Sequence, residues 1–508
     1  MKPETYFLET FGCQMNVLDS QLVAEQLREM GLRRVESSDQ ADVILFNTCS
    51  VRQHAEDKVL SRLGELKALK RERPDTVIGV IGCMAEREKE ALFGKAPHIG
   101  LLCGPGELHR LPELLEQAAR GQRRVAALAD SQSRRTAAAE RAQEDDGLER
   151  LDLSRRPGPG ESVLQSYVRV QRGCDKFCTY CVVPYTRGPE RSRPPGHIIA
   201  EARSLAEQGC REVTLLGQTV NSYVHREHGR VVRFAELLER VHEIQGLDRI
   251  RFVTSFPADW DEDVFRVMRD CSHICPYLHI PAQSGSDRIL KAMKRGYTAA
   301  EYLRLMDTAR KYLPDIALAG DFMVGFCGET EPDFLATVDL VRRVEYKSIF
   351  VFKYSPRPGT TADRGQNDDV PSQVKARRNN ELLAVQREIS LRQKQPLIGQ
   401  VVEVLVEGYS KAARQAQAAD DATGESQDGF ATEPSVDEPL ADTVTSPTQT
   451  GLSAVSSRQL VGRTTHDLIA VFDGDAAHIG ALVNVRIEAA SSLTLFGRIE
   501  QVVSPAGA

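Results

Sequence analysis

Residues 172–181, Arg-Gly-Cys-Asp-Lys-Phe-Cys-Thr-Tyr-Cys, bring Cys174, Cys178 and Cys181 onto one short loop directly after a predicted strand, Tyr167 to Val170. Three thiolates so close in sequence can ligate three irons of a cubane 4Fe-4S cluster and leave the fourth iron open to a chelating ligand. A zinc site is the alternative, but zinc favours a fourth Cys or His nearby and more symmetric CxxC pairs. The motif therefore favours an iron-sulfur site at the end of a strand.

The strand before this loop is the first of six that alternate with helical patterns. The six predicted strands are Tyr167 to Val170, Glu212 to Leu216, Arg251 to Thr254, Tyr277 to Ile280, Ala317 to Met323 and Ile349 to Tyr354. Six such units predict a partial (βα)6 barrel, whose functional groups gather on loops at the carboxyl ends of the strands.

A second group of cysteines follows three strands predicted nearer the amino terminus. Cys13, Cys49 and Cys83 come after the apolar runs Tyr6 to Thr10, Asp42 to Phe46 and Thr76 to Gly82. Because the carboxyl ends of adjacent parallel strands meet at one edge of a sheet, these cysteines are expected to converge on a second cluster. The alternative is that each is a small buried hydrophobic residue. The other five cysteines are assigned no role.

The predicted fold class is α/β, with three domains. The domain bounds are an amino-terminal parallel α/β domain over residues 1–120, a linker over 121–160, the partial barrel over 161–393, and a small carboxy-terminal β-barrel over 394–504. Residues 412–457 are predicted to be a disordered insertion, since their Ala, Asp, Ser, Thr, Gln and Gly content buries too little apolar surface to become ordered.

The formal charge of −7 does not decide whether the chain binds RNA. Residues 415–457 carry eight acidic residues and no Lys or Arg, and without them the formal charge is +1. A near-neutral body with basic patches can hold RNA. No apolar run reaches the roughly 20 residues that span a bilayer, and the first ten residues do not resemble a signal peptide. We expect a cytoplasmic protein without a membrane partner, whose eleven cysteines serve metals or catalysis rather than disulfides.

The cysteine motif resembles the radical S-adenosylmethionine (SAM) superfamily, and further motifs resemble its methylthiotransferase family. Within that family they are most similar to the tRNA-2-methylthio-N6-dimethylallyladenosine synthases, above all in Gln14-Met15-Asn16 after Cys13. The motifs are residues 12–16, 47–52, 81–85, 178–188, 216–223 and 354–360. The chain departs from the family at Cys327, where Pro is usual, and in the tail insertion. Tyr180 would lie beside the adenine of SAM, although a packing aromatic is an equal alternative.

The resemblance implies an enzyme that adds a methylthio group to carbon 2 of an isopentenylated adenosine beside the tRNA anticodon. It implies two 4Fe-4S clusters, on Cys174, Cys178 and Cys181 and on Cys13, Cys49 and Cys83. SAM would serve as radical source and as methyl donor. The expected partners are tRNA and an electron donor such as a flavodoxin or ferredoxin, for a monomeric enzyme. The tail resembles the TRAM domain, an RNA-binding barrel on which Lys411, Arg463 and Arg498 could meet phosphates.

Three other functions stay open at this point. The chain could act on another tRNA adenosine or on an aspartate of a ribosomal protein. It could instead be a non-catalytic iron-sulfur protein that binds RNA or senses redox state. Cleavage of SAM by the reduced protein would exclude the non-catalytic alternative, and the macromolecule that gains the methylthio group would decide among the others.

Overall fold

The amino-terminal part of the chain is a parallel sheet with helices on both faces. The computed structural model describes residues 3–50, 53–129, 147–155, 163–227, 229–421 and 458–505. In sheet order the strands are Arg33–Arg34, Thr5–Phe11, Val43–Thr48, Val77–Gly82, Leu101–Cys103 and Val125–Ala127. The helices are Gln14–Glu29, Gln53–Glu72, Cys83–Glu88, Ala91–Lys95 and Leu111–Ala119. The two central strands are buried along their whole length, as continuous apolar runs in parallel sheets usually are.

The predicted linker, residues 121–160, is wrong in part. Val125–Ala127 is the edge strand of the first sheet, and residues 147–154 form a helix. Leu148 and Leu151 of that helix are buried, and its acidic side chains pair with arginines of the central domain. Residues 130–146 and 156–162 lie outside the described part of the chain. The helix thus fastens the two domains together.

Asp152 on this helix is expected to be a large contributor to stability. Its carboxylate is 1% exposed and lies 3.5 Å from Arg193 and 3.7 Å from Arg169. Asp152→Asn removes one of the carboxylates that balance these buried arginines, although Arg193 keeps Glu149 and Arg169 keeps Asp19, so it should lower the free energy of unfolding by about 3 kcal/mol in chemical denaturation. The matched control is Asp270→Asn, whose solvent-exposed pair with Arg269 should leave the free energy of unfolding nearly unchanged. Equal effects of the two substitutions would contradict a clamping role.

The central domain confirms the predicted partial barrel. Two three-stranded parallel sheets lie side by side, with the Ser255 amide donating to the His279 carbonyl oxygen at 3.2 Å between them. The strands are Gln165–Arg169, Glu212–Leu216, Arg249–Val253, Tyr277–His279, Ala317–Val324 and Ser348–Lys353. The helices are Val183–Thr186, Pro195–Glu207, Phe234–His242, Glu262–Asp270, Asp287–Ala292, Ala299–Tyr312, Glu331–Val344 and Thr361–Gly365. Apolar side chains of strands and helices form one core between them.

The helix Ser372–Lys394 leads into a closed five-stranded barrel, as predicted. The barrel strands are Val401–Tyr409, Gln459–Thr464, Ile469–Asp473, Leu482–Ala490 and Thr494–Ser504. The predicted disordered insertion, residues 412–457, is wrong at its start, because a helix covers Lys411–Asp421. Residues 422–457 lie outside the described part of the chain. Within the described residues, no helix is both long and apolar enough to cross a membrane.

The small barrel docks on the amino ends of the central strands. Gln165 and Arg249, each the first residue of its strand, donate to Glu407 at 3.1 Å and to Glu403 at 2.9 Å. Arg463 lies in this interface, where it pairs with Asp467 at 2.9 Å, and its role as a phosphate contact stays a prediction. Arg498 remains 69% exposed and keeps that expectation open.

Candidate active site

The first cysteine group lies where the sequence places it, at the carboxyl end of the first central strand. Cys174 and Cys178 are buried and Cys181 is partly buried. The loop is closed by two backbone hydrogen bonds, from the Cys174 amide to the Gly188 carbonyl oxygen at 3.2 Å and from the Cys181 amide to the Cys178 carbonyl oxygen at 3.0 Å. These bonds close the loop that carries the three thiols.

The thiols of this loop sit in an environment that favours metal binding over free ionisation. Burial raises the pKa of Cys174 to about 11, with a further contribution from the neighbouring Cys178. Burial raises the pKa of Cys181 to about 12, and Cys178 again adds to the shift. Because each thiol feels the next, the three form one electrostatic group, and a bound metal supplies the positive charge that ionises such thiols. This donor set fits three irons of a 4Fe-4S cluster.

Tyr180 is packed against other aromatic side chains. Its ring meets that of Phe326 edge-on, with centroids 6.3 Å apart. Burial raises its pKa well above the usual value for a tyrosine. These contacts support the packing interpretation, and a contact with the adenine of SAM stays a prediction.

The second cysteine group converges as the topology predicts. The strands that precede Cys13, Cys49 and Cys83 are neighbours in the sheet, and their last residues Phe11, Thr48 and Gly82 stand opposite one another. A hydrogen bond with Cys49 lowers the pKa of Cys13 to about 6, against the opposing effect of burial. Burial raises the pKa of Cys83, which also feels the charge of Cys13. The three thiols therefore interact, and their role as cluster ligands stays a prediction.

Asn16 and Asn47 explain the motifs around these cysteines. Both are fully buried, and the Asn16 amide group donates to the Asn47 side-chain oxygen at 2.9 Å. The side-chain oxygen of Asn16 in turn accepts from the Cys13 thiol at 3.3 Å. A Cβ atom at Gly12 would lie 2.5 Å from that oxygen and 2.8 Å from the Cβ of Cys49, so only glycine fits there. The asparagine pair thus fixes the strand ends that carry two of the cysteines.

Arg187, within the motif over residues 178–188, connects the two cysteine groups. It follows the helix Val183–Thr186 after the first cysteine loop, and its guanidinium donates to the Asp19 carboxylate of the amino-terminal domain at 2.8 Å. Its positive charge lowers the pKa of both Cys13 and Cys83. One short segment, residues 174–188, therefore reaches both sites.

A cavity of about 450 Å³ lies between the two domains, a size typical of small-molecule sites. Its wall includes Val182, next to Cys181, and Glu86, on the helix that begins at Cys83. Burial raises the pKa of Glu86 to about 7. Cationic side chains also line the cavity, and three of them, Arg87, Arg172 and Arg187, are paired with carboxylates. The others are Lys89, Arg191 and Arg364.

Within the described residues, no three His, Cys, Asp or Glu side chains surround a point where a single metal ion would fit. That finding concerns one ion. Each thiolate of a cubane cluster binds its own iron, so its ligands need not meet at one point.

Two parts of the chain match known protein families, one in each of the first two domains. Residues 5–104 match the uncharacterized protein family UPF0004, and residues 168–341 match the radical SAM superfamily. A tRNA-2-methylthio-N6-dimethylallyladenosine synthase of Rhodopirellula baltica is 45% identical over 98% of this chain and 96% of its own length. One of a Sulfurihydrogenibium species is 40% identical over 97% of this chain and 99% of its own. The chain belongs to the tRNA-2-methylthio-N6-dimethylallyladenosine synthase family.

Membership of this synthase family and of the radical SAM superfamily makes the chain an enzyme that uses SAM and a 4Fe-4S cluster. Among solved structures, the radical SAM methyltransferase TsrM of Kitasatospora setae has a similar fold. Its TM-score is 0.50 at 16% identity, over 71% of this chain and 74% of that chain. This likeness supports the α/β fold.

Proposed function

We propose that this enzyme replaces the hydrogen on carbon 2 of N6-dimethylallyladenosine, beside the anticodon of a tRNA, with a methylthio group. Carbon 2 of adenine has neither an acidic hydrogen nor a leaving group, so its hydrogen has to be removed by a radical. The observation that carries the proposal is the pair of cysteine groups at the strand ends of two adjoining domains, in a chain whose relatives are synthases of this kind.

The two cysteine groups would each hold one cluster with its own role in the reaction. Cys174, Cys178 and Cys181 would hold the cluster of the radical SAM domain, and Cys13, Cys49 and Cys83 would hold a second 4Fe-4S cluster. When bound, the clusters supply an electron for the cleavage of SAM and a site for the sulfur, and a second SAM supplies the methyl group. The protein shields both sites from water: four of the six cysteines are at most 9% exposed, and Cys13 and Cys181 are partly buried.

The remaining partners are proposed from the same reaction. An electron donor such as a flavodoxin or ferredoxin is needed because SAM cleavage consumes an electron. We propose a monomer that works in the cytoplasm, where tRNA is found. Arg498 of the small barrel, which is 69% exposed and pairs with Glu488 at the surface, is proposed to contact the RNA backbone.

Tyr185 is proposed to stack on an unpaired base of the anticodon loop. Its side chain is 48% exposed at the wall of the cavity, and its ring meets Phe177 edge-on at 6.2 Å. Aromatic rings hold single-stranded bases by stacking, at about 1–3 kcal/mol per base. Tyr185→Ala should weaken tRNA binding by that amount, measured by anaerobic fluorescence titration, whereas Tyr185→Phe should bind normally.

The matched control for Tyr185 is Leu335→Ala. Leu335 is 51% exposed on the helix Glu331–Val344 and does not line the cavity, so its loss removes exposed apolar surface without changing the site. Unchanged tRNA affinity of Tyr185→Ala would count against a stacking role.

Mass spectrometry of tRNA nucleosides, from cells with and without the chain, tests the function directly. We expect the 2-methylthio form of N6-dimethylallyladenosine only when the chain is present. A methylthio group found instead on a ribosomal protein aspartate would overturn the proposed substrate. Failure of the reduced protein to cleave SAM would overturn the reaction itself.

A further inference from the structure

Arg295 is a buried cation that touches a cysteine of the first group. It follows the helix Asp287–Ala292 and is 6% exposed. Its Nη1 donates to the Cys178 sulfur at 3.4 Å, its Nε to the Tyr297 hydroxyl at 3.0 Å, and its Nη2 to the Pro281 carbonyl oxygen at 3.0 Å. All three nitrogens of the guanidinium are therefore engaged, and one of them is engaged by sulfur.

The setting of Arg295 differs from that of other buried arginines in this enzyme. Arg169, Arg193 and Arg378 each pair with a carboxylate within 2.7 Å. Across the described residues, no carboxylate lies within ion-pair distance of Arg295. Its guanidinium instead lies over the rings of Phe256 and Tyr297, 4.7 and 5.4 Å from their centres. A buried charge is costly unless an opposite charge meets it, and the group placed to become that charge is the thiolate of Cys178.

The segment that carries Arg295 also holds the cysteine loop in place. The Thr179 amide donates to the Met293 carbonyl oxygen at 3.0 Å, and the Thr179 hydroxyl donates to that of Ala292 at 2.9 Å. Thr179 is the residue after Cys178. The contact between Arg295 and sulfur is therefore fixed from both sides, by the loop and by the segment that ends the helix.

We propose that Arg295 is a positioning residue for the cluster held by Cys174, Cys178 and Cys181, donating a hydrogen bond to the Cys178 sulfur and stabilising the reduced cluster. The inference rests on the ligand role proposed for these cysteines. A hydrogen bond and a positive charge at a ligand sulfur favour the form with the extra electron, so they raise the reduction potential of the cluster. Arg295 would thereby make the cluster easier for the electron donor to reduce.

The test is a redox titration followed by electron paramagnetic resonance. The full-length chain would carry Cys13→Ala, Cys49→Ala and Cys83→Ala, so that only the first cluster contributes. In this background Arg295→Gln should shift the midpoint potential to a more negative value while iron content stays unchanged. Arg295→Lys keeps the charge but reaches fewer partners. Its midpoint potential should therefore fall between that of the parent and that of Arg295→Gln. Cleavage of SAM by a limiting reductant should slow by about tenfold or more in Arg295→Gln, because hydrogen bonds to charged groups are strong.

Arg249→Gln is the matched control, because Arg249 is also buried but contacts the small barrel at the other end of the strands. Its potential should equal that of the parent. An unchanged midpoint in Arg295→Gln with full iron content would overturn the inference, as would loss of iron from both Arg295→Lys and Arg295→Gln, which would make the residue merely structural. If Cys178→Ala kept all its iron, the ligand assignment itself would be wrong, so the two failures are distinguishable.

Discussion

Replacing Cys174, Cys178 and Cys181 together by alanine is expected to abolish SAM cleavage and to remove about half of the iron from the reconstituted enzyme. Two 4Fe-4S clusters amount to about eight irons, and the variant should keep about four of them. The reason is that the two cysteine groups lie on different domains, and each group carries its own thiols. Iron assay and the yield of 5′-deoxyadenosine after reduction measure the two effects.

Cys271→Ala provides the control for this experiment. Cys271 follows the helix Glu262–Asp270 and is assigned no role, so its variant should keep all its iron and its full SAM cleavage. Loss of all iron from the triple variant, or of none, would argue against two independent sites.

Replacing Cys13, Cys49 or Cys83 by alanine should abolish formation of the methylthio product but preserve SAM cleavage. The loop with Cys174, Cys178 and Cys181 stays intact, so SAM cleavage should remain measurable. Methylthio product should fall below detection, because the site proposed to present the sulfur has lost a ligand. Mass spectrometry of the tRNA product and of 5′-deoxyadenosine separates the two activities in one reaction.

Cys103→Ala is a closely matched control for the amino-terminal cysteines. Cys103 is fully buried and ends the strand Leu101–Cys103, which stands beside the strand that precedes Cys83. Its replacement removes the same atoms at the same edge of the same sheet, but it should leave product formation intact. Near wild-type product from the Cys13, Cys49 and Cys83 variants would mean that these residues are structural.

The fold could be predicted from the sequence where an apolar run forms a strand that is buried in the structure. Val43–Thr48 and Val77–Gly82 are continuous apolar runs, and both became buried central strands. Arg33–Arg34 and Val125–Ala127 gave no such signal, because an edge strand of two or three residues is held mainly by backbone hydrogen bonds to its neighbour. The helix over 147–154 was missed since its buried face includes Glu149 and Asp152, which a hydrophobic pattern counts as exposed.

The candidate site, like the fold, could be predicted from the sequence only in part. The positions of the six cysteines after strands were enough to place them in two groups, because topology brings strand ends together. Arg295 could not be found in this way, since it lies 117 residues from Cys178 and its role depends on how the barrel closes. Arg187 was visible in a motif, but its contact with Asp19, 168 residues away, exists only after the domains dock.

That last contact has a consequence for how the enzyme is made. A ribosome releases the three amino-terminal cysteines long before it has polymerised Arg187, and domains tend to fold in the order of synthesis. The nascent first domain therefore presents its cysteines without the guanidinium that lies beside them in the finished protein, and without the helix at 147–154 that clamps the domains. The environment of that site is completed only once the central domain has emerged, so its maturation is tied to a late stage of biosynthesis.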